Sequence, residues 1–148
     1  METWISANWF NLISAVGIMA SLLFTAVSLR SETKNRRIDS LLSLTESHRE
    51  LWAQIFDHPD LARILDTEAD LARKPMTLEE SIYVGLAIQH LGSAYQAMKG
   101  GIVIQQDGLC DDVKSFFGLP IPKAVWAETK TLQNADFVRF VDFCVESK

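Results

Sequence analysis

His48 and His90 are the side chains of this 148-residue chain best suited to chemistry. Imidazole titrates near neutral pH and ligates metals, so two of them brought together would make an acid–base or metal pair. Their sequence neighbours argue against both. The helical di-metal pattern needs a Glu three residues before each His, and Thr45 and Ala87 stand there instead. HExxH, a phosphate-binding glycine loop and Gly-x-Ser-x-Gly are all absent from the sequence. Each His lies on an apolar helix face, where a core imidazole with satisfied hydrogen bonds is expected. Trp52 and Trp126 have rings that can stack a base, but their helical spacing among Leu and Phe assigns them to the core. Arg63 suits an ion pair that locks a short helix, or else an anionic ligand. His48, Arg49 and Arg63 are thus the candidate ligand or partner contacts. No catalytic residue, metal or cofactor is expected, and the chain is not read as an enzyme. His58 reads as a turn residue, and Asp111 with Asp112 as a solvated helix start.

The elements that carry these side chains are all helical. From Ile38, the positions Ile38, Leu41, Leu42, Leu44, His48, Leu51, Trp52, Ile55 and Phe56 recur mainly at spacings of three and four and are read as the inner face of one amphipathic helix. No Pro or Gly interrupts residues 30–57, so this helix is expected to continue the preceding segment unbroken and to pass movement on to it. Pro59 ends the run and opens a short helix through Leu61, Ile64 and Leu65, with a second piece expected to reach Leu71. Thr77 and Glu80 form a capping box. The long helix after it, with Leu78, Ile82 and Leu86 as well as Val84, Ile88, Leu91 and Tyr95 buried, stops at Gly100 and Gly101. Gly108 marks a turn before a helix over 109–117, Pro122 opens another, and Asn134 caps the last, which carries Phe137, Phe140, Val141 and Cys144 inward. Only residues 102–104 carry any strand signal.

Residues 9–29 contain no charge and read as a transmembrane helix about 31 Å long, against a hydrocarbon core of about 30 Å. The lack of a basic n-region and the length of the apolar run favour an uncleaved anchor over a signal peptide. Trp4 and Trp9 mark the N-terminal interface, and Arg30, Lys34, Arg36 and Arg37 follow the span. Basic residues stay inside, so the N-terminus is expected outside the membrane and the remainder in the cytoplasm. At 100° per residue Asn11, Ser14, Gly17, Ser21, Thr25 and Ser28 share one arc, a stripe suited to a homo-oligomer interface or, more demandingly, to a pore lining. The organisation expected is an anchor over 1–30, a basic juxtamembrane segment over 31–37 and an all-α cytosolic bundle of five or six helices over 38–148.

Ten of the 14 Lys/Arg and seventeen of the 19 Asp/Glu follow residue 37. An acidic domain of this kind lacks the basic face that nucleic acid requires. The lipid bilayer is the expected partner of the basic segment. Two cysteines 34 positions apart make neither a disulfide framework nor a zinc site, and reduced core cysteines are expected.

The segment LTESHRELWAQIFDHPDLARILD (44–66) and the later VWAETKTLQNADFVRFVDF (125–143) resemble a group of small, poorly characterised bacterial proteins. Those proteins join one N-terminal membrane helix to a cytosolic helical domain. The shared pattern is His and Trp on the first cytosolic helix, Pro-x-Leu-x-Arg at Pro59, Leu61 and Arg63, and a late Trp126 followed by Phe137. The chain departs from it over 100–108, where the group has a shorter link. The resemblance implies the layout and no activity. A membrane-tethered, self-associating interaction or sensor module without catalysis follows as the expectation, set by analogy of layout in stress or antiphage defence. The alternative is a membrane-perturbing, pore-forming effector gated by a nucleotide ligand or protein partner.

Overall fold

The computed structural model describes residues 2–102 and 106–147, with side chains described at 8–11, 13–102 and 107–147. The Trp4 side chain and the path across 103–105 lie outside the described residues. The chain divides into two compact units, Met1–Asp39 and Ser40–Lys148. Among the described residues there is no strand.

Helix α1, Glu2–Asp57, runs without a break, as expected where neither Pro nor an interior helix-breaking pair occurs after Gly17. In the first unit it is long and apolar enough to cross a membrane, with a mean hydropathy of 2.2 over its most apolar stretch and none of that stretch buried in protein. Along it Phe10, Ile13, Leu22, Leu23 and Phe24 are all exposed. Thr25 donates its hydroxyl to the Ser21 carbonyl at 2.9 Å, which satisfies the side chain within the helix. Glu32 and Arg36 pair at 2.6 Å, with the acid N-terminal to the base.

The second unit contains the rest of α1, a 3-10 turn Pro59–Leu65, α2 Leu78–Lys99, α3 Gln106–Phe117, α4 Pro120–Thr129, a 3-10 turn Lys130–Leu132 and α5 Ala135–Glu146. Each start has a local cause. Thr77 Oγ1 accepts from the Glu80 amide at 3.2 Å and Glu80 Oε2 accepts from the Thr77 amide at 2.8 Å, completing the capping box. Pro120 takes the first position of α4, where its missing N–H costs nothing. Asn134 Oδ1 accepts from the amides of Asp136 and Phe137. The α2 stop is Gly100, followed by Gly101 at φ 77, a left-handed conformation that only glycine adopts freely.

The core is built from Ile64, Val84, Ile88, Val113, Ile121 and Val141. Aromatic rings knit the helices around it. Phe117 lies 4.8 Å from Trp126, which meets Phe137 edge-on at 5.9 Å, while Tyr95 stacks on Phe140 at 4.8 Å. The late Trp and Phe of the sequence pattern are therefore packing partners. Lys99 Nζ reaches Asp136 at 2.7 Å and ties the end of α2 to the start of α5.

Four expectations are corrected. Residues 66–74 form turns rather than a second helical piece, because Asp66 and Asp70 bond the amides of Glu68, Ala72 and Arg73 as turn caps. Gly108 lies inside α3, which begins at Gln106. Leu78, Ile82 and Leu86 are exposed, Leu78 to 73%, since Tyr83, Val84, Ile88 and Tyr95 supply the buried face of α2. Cys110 and Cys144 are joined in a disulfide, because α3 packs on α5 and brings their Cα atoms to 5.3 Å. Distance along the sequence had no bearing on that contact.

Candidate functional site

An apolar groove of about 920 Å³ opens inside the second unit. Three helices supply most of its walls, with Leu65, Thr67 and Leu119 from the connecting segments. Leu41, Leu44, His48, Leu51 and Ile55 come from α1, Tyr83, Ala87, His90 and Leu91 from α2, and Leu109, Asp112 and Phe116 from α3. The α1 residues follow one another at spacings of three and four, so they form a single seam along one helix face. Leu51 and Ile55 are half-buried against the core, while His48 and Trp52 stand open to solvent, Trp52 at 44%. The Tyr83 hydroxyl donates to the Leu51 carbonyl at 3.0 Å and fixes α1 to α2 beneath the groove. Burial pushes the Tyr83 phenol above its ordinary value.

The fold brings His48 and His90 together, with ring centroids 5.4 Å apart. Trp52 Nε1 donates to His48 Nε2 at 3.0 Å, one helical turn apart, which assigns the proton of a neutral His48 to Nδ1. His90 is half-buried, and among the described residues no protein hydrogen bond reaches its ring. Burial first, and the neighbouring His48 second, hold its imidazole below the ordinary 6.5. The expected core position is thus corrected for His48 and for Trp52, and the expected satisfied core imidazole is corrected for His90, which is half-buried and whose ring makes no hydrogen bond among the described residues. The α1 face of His48 and Trp52 turns toward a gap that no side chain fills, and only Trp126 of the pair of tryptophans is buried.

The sign of the His90 effect follows from its direction. The unfolded chain takes up a proton near 6.5 and the folded chain does so only at lower pH. The stability His90 contributes is therefore complete above about 6.5 and is lost as pH falls through its lowered folded value. Replacing His90 with Gln is expected to flatten the fall in melting temperature between pH 7 and pH 5; an unchanged fall would assign it to other groups.

Arg63 does not face the groove. Its Nη1 reaches Glu80 Oε1 at 3.0 Å and Oε2 at 3.1 Å and the Pro75 carbonyl at 3.4 Å, and its Nη2 donates to the Lys74 carbonyl. These bonds lock the 3-10 turn to the start of α2, so the Pro-x-Leu-x-Arg element is a clamp. Arg49 is exposed and does not line the groove. Ser14, Gly17, Ser21, Thr25 and Ser28, like Asn11, are exposed along α1 in the first unit. A side chain added at Gly17 would meet nothing within 4 Å.

Both imidazoles share a solvent-open groove, which is the arrangement an acid–base site would need. The rest of such a site is missing among the described residues. No carboxylate bonds either ring to orient it, no Ser, Thr or Cys bonds them as a nucleophile, and no cluster of three metal-ligating side chains exists. The expected inner face of α1 holds in part: Leu41, Leu44, His48, Leu51, Trp52 and Ile55 line the groove, whereas Ile38, Leu42 and Phe56 are exposed and do not. The contributions of Leu109, Asp112 and Phe116 were not legible, since they depend on how α3 docks.

No curated protein and no solved structure matches the chain. A family model does, over residues 7–139, from the candidate span to the middle of α5. The chain belongs to that family, DUF6082, a family of unknown function.

Proposed function

We propose that the protein is a membrane-anchored, non-catalytic receptor module. The observation that carries this reading is α1 itself. One uninterrupted helix holds both the bare apolar stretch of the first unit and the seam that walls the groove of the second. A ligand or partner that draws α1 toward α2 acts on the same helix that the bilayer holds. The volume of about 920 Å³ lies within the ~300–1,000 Å³ of small-molecule pockets, and an apolar lining with a few converging polar groups is their usual character. No Lys or Arg lines the groove among the described residues, which weighs against a nucleotide, whose phosphates call for such side chains.

Self-association through the stripe of Gly17, Ser21 and Thr25 completes the reading, because small residues let two span helices approach and bond. Ser21→Leu is expected to weaken dimerisation in bilayers about tenfold, from ~1–2 kcal/mol per polar helix contact. Energy transfer between labelled copies measures it, and an unchanged signal would remove the stripe from the interface. Membrane potential recorded during overexpression separates a receptor from a pore. A receptor leaves the potential intact, whereas a collapse that Ser21→Leu prevents would favour the effector.

Orientation rests on two cues that oppose each other. Arg30, Lys34, Arg36 and Arg37 hold the second unit inside, whereas a disulfide belongs to an oxidising compartment. The charge rule acts at insertion, before the second unit folds, and we place that unit on the cytoplasmic side. The Cys110–Cys144 disulfide stands against that placement, and thiol labelling decides between the two cues.

A further inference from the structure

The groove's chemistry narrows its ligand. Apolar side chains lie on both sides of the histidine pair along α1, Leu41 and Leu44 before it and Leu51 and Ile55 after it. From Leu41 to Ile55 the seam is about 21 Å long, so the groove is a trough that suits a chain rather than a compact ring. The charged and titratable groups facing the pair are few. Asp112 comes from α3, and Tyr83 comes from α2 with its hydroxyl committed to Leu51; the part of the lining after α1, Leu65 and Thr67, has none. An anion would find no fixed positive charge and one carboxylate against it. The rings themselves offer a donor at His48 Nδ1 and both a donor and an acceptor at a neutral His90, with no hydrogen bond between them. A hydroxyl, which donates and accepts, matches that set.

We propose that the groove holds an uncharged single-chain amphiphile, of the class of a long-chain alcohol or monoacylglycerol, with its hydroxyl at His48 and His90 and its chain along the α1 seam. The proposal rests on the receptor reading above and names the ligand of the same groove. Trp52 is the gatepost of this site. Its indole holds His48 in the tautomer that donates toward the ligand, and its exposed ring covers the hydroxyl once bound.

The test uses the full chain in phosphatidylcholine nanodiscs and hexadecanol bearing a photoactivated diazirine on its chain. Labelled peptides are expected from 41–55 and 109–119 in addition to 9–29, which samples the bilayer. Unlabelled hexadecanol and monopalmitoylglycerol should displace the groove label. Palmitate at pH 8 should do so at roughly fivefold higher concentration or more, the loss of about one hydrogen bond. His90→Leu should weaken hexadecanol about fivefold while leaving labelling by a diazirine alkane unchanged, and Ala87→Trp, which fills the trough, should abolish groove labelling by both. Equal groove labelling by alkane and alcohol, or stronger competition by palmitate, would overturn the amphiphile class and keep the groove as a ligand site. Label confined to 9–29 with every probe would overturn both.

Discussion

Glu80→Ala is expected to cost about 3–5 kcal/mol of stability, the loss seen when one partner of a buried ion pair is removed. Its side chain is 3% exposed and that of Arg63 14%. The carboxylate takes both of its oxygens to Arg63 Nη1 and one of them to the Thr77 amide as well. Removing it takes away the carboxylate half of the α2 capping box, leaving the Thr77 hydroxyl cap, and leaves a covered guanidinium with only the Lys74 and Pro75 carbonyls. Denaturant unfolding of the full chain in mild detergent, followed by the emission of buried Trp126, measures the loss. The double substitution Arg63→Met with Glu80→Leu should recover much of it, because an apolar pair carries no desolvation penalty. A loss below about 1 kcal/mol for Glu80→Ala would mean the pair behaves as a solvated surface contact.

Reduction of Cys110–Cys144 in the purified protein is expected to lower stability by about 3–4 kcal/mol, from the chain entropy released when a loop of this length is opened. Cys144 is fully buried at the α3–α5 contact and Cys110 partly so, which makes the bond a strut of the core. Melting with and without a phosphine reductant reads the effect, and the Cys110→Ala, Cys144→Ala double variant should show no dependence on reductant. The same residues report orientation. Acid-quenched cells alkylated with a mass-tagged maleimide should show two free thiols if the second unit is cytoplasmic. Thiols protected until reduction would place that unit on the oxidising side and overturn the orientation drawn from Arg30, Lys34, Arg36 and Arg37.

Local signals made most of this fold legible. The capping box at Thr77 and Glu80, the Asn134 cap, Pro59 after α1 and the glycines at 100 and 101 each act within one turn of the chain, and each appears where the sequence puts it. Two failures were local, the Asp-capped turns over 66–74 and Gly108 inside α3, and the others share one cause, which is that burial is decided by docking. Leu78, Ile82 and Leu86 have the spacing of an inner face but lie outside, since the other side of α2 carries Val84 and Ile88 against the core. Trp52 and His48 have a core pattern and line a gap. Cys110 and Cys144 meet only because two helices from different parts of the chain pack together. For the site, the spacing of α1 marked Leu41, Leu44, Leu51 and Ile55 together with Leu42 and Phe56, which are exposed and outside the groove, and only the assembled helices disclose that His90 faces the pair of His48 and Trp52.

The carboxylate of Glu80 serves two masters, one three residues away in the chain and one seventeen residues upstream. The cap of α2 and the distant ion pair thus share one side chain, so a change at Glu80 loosens the helix start and the upstream turn together, and local opening of either segment is expected to spread to the other.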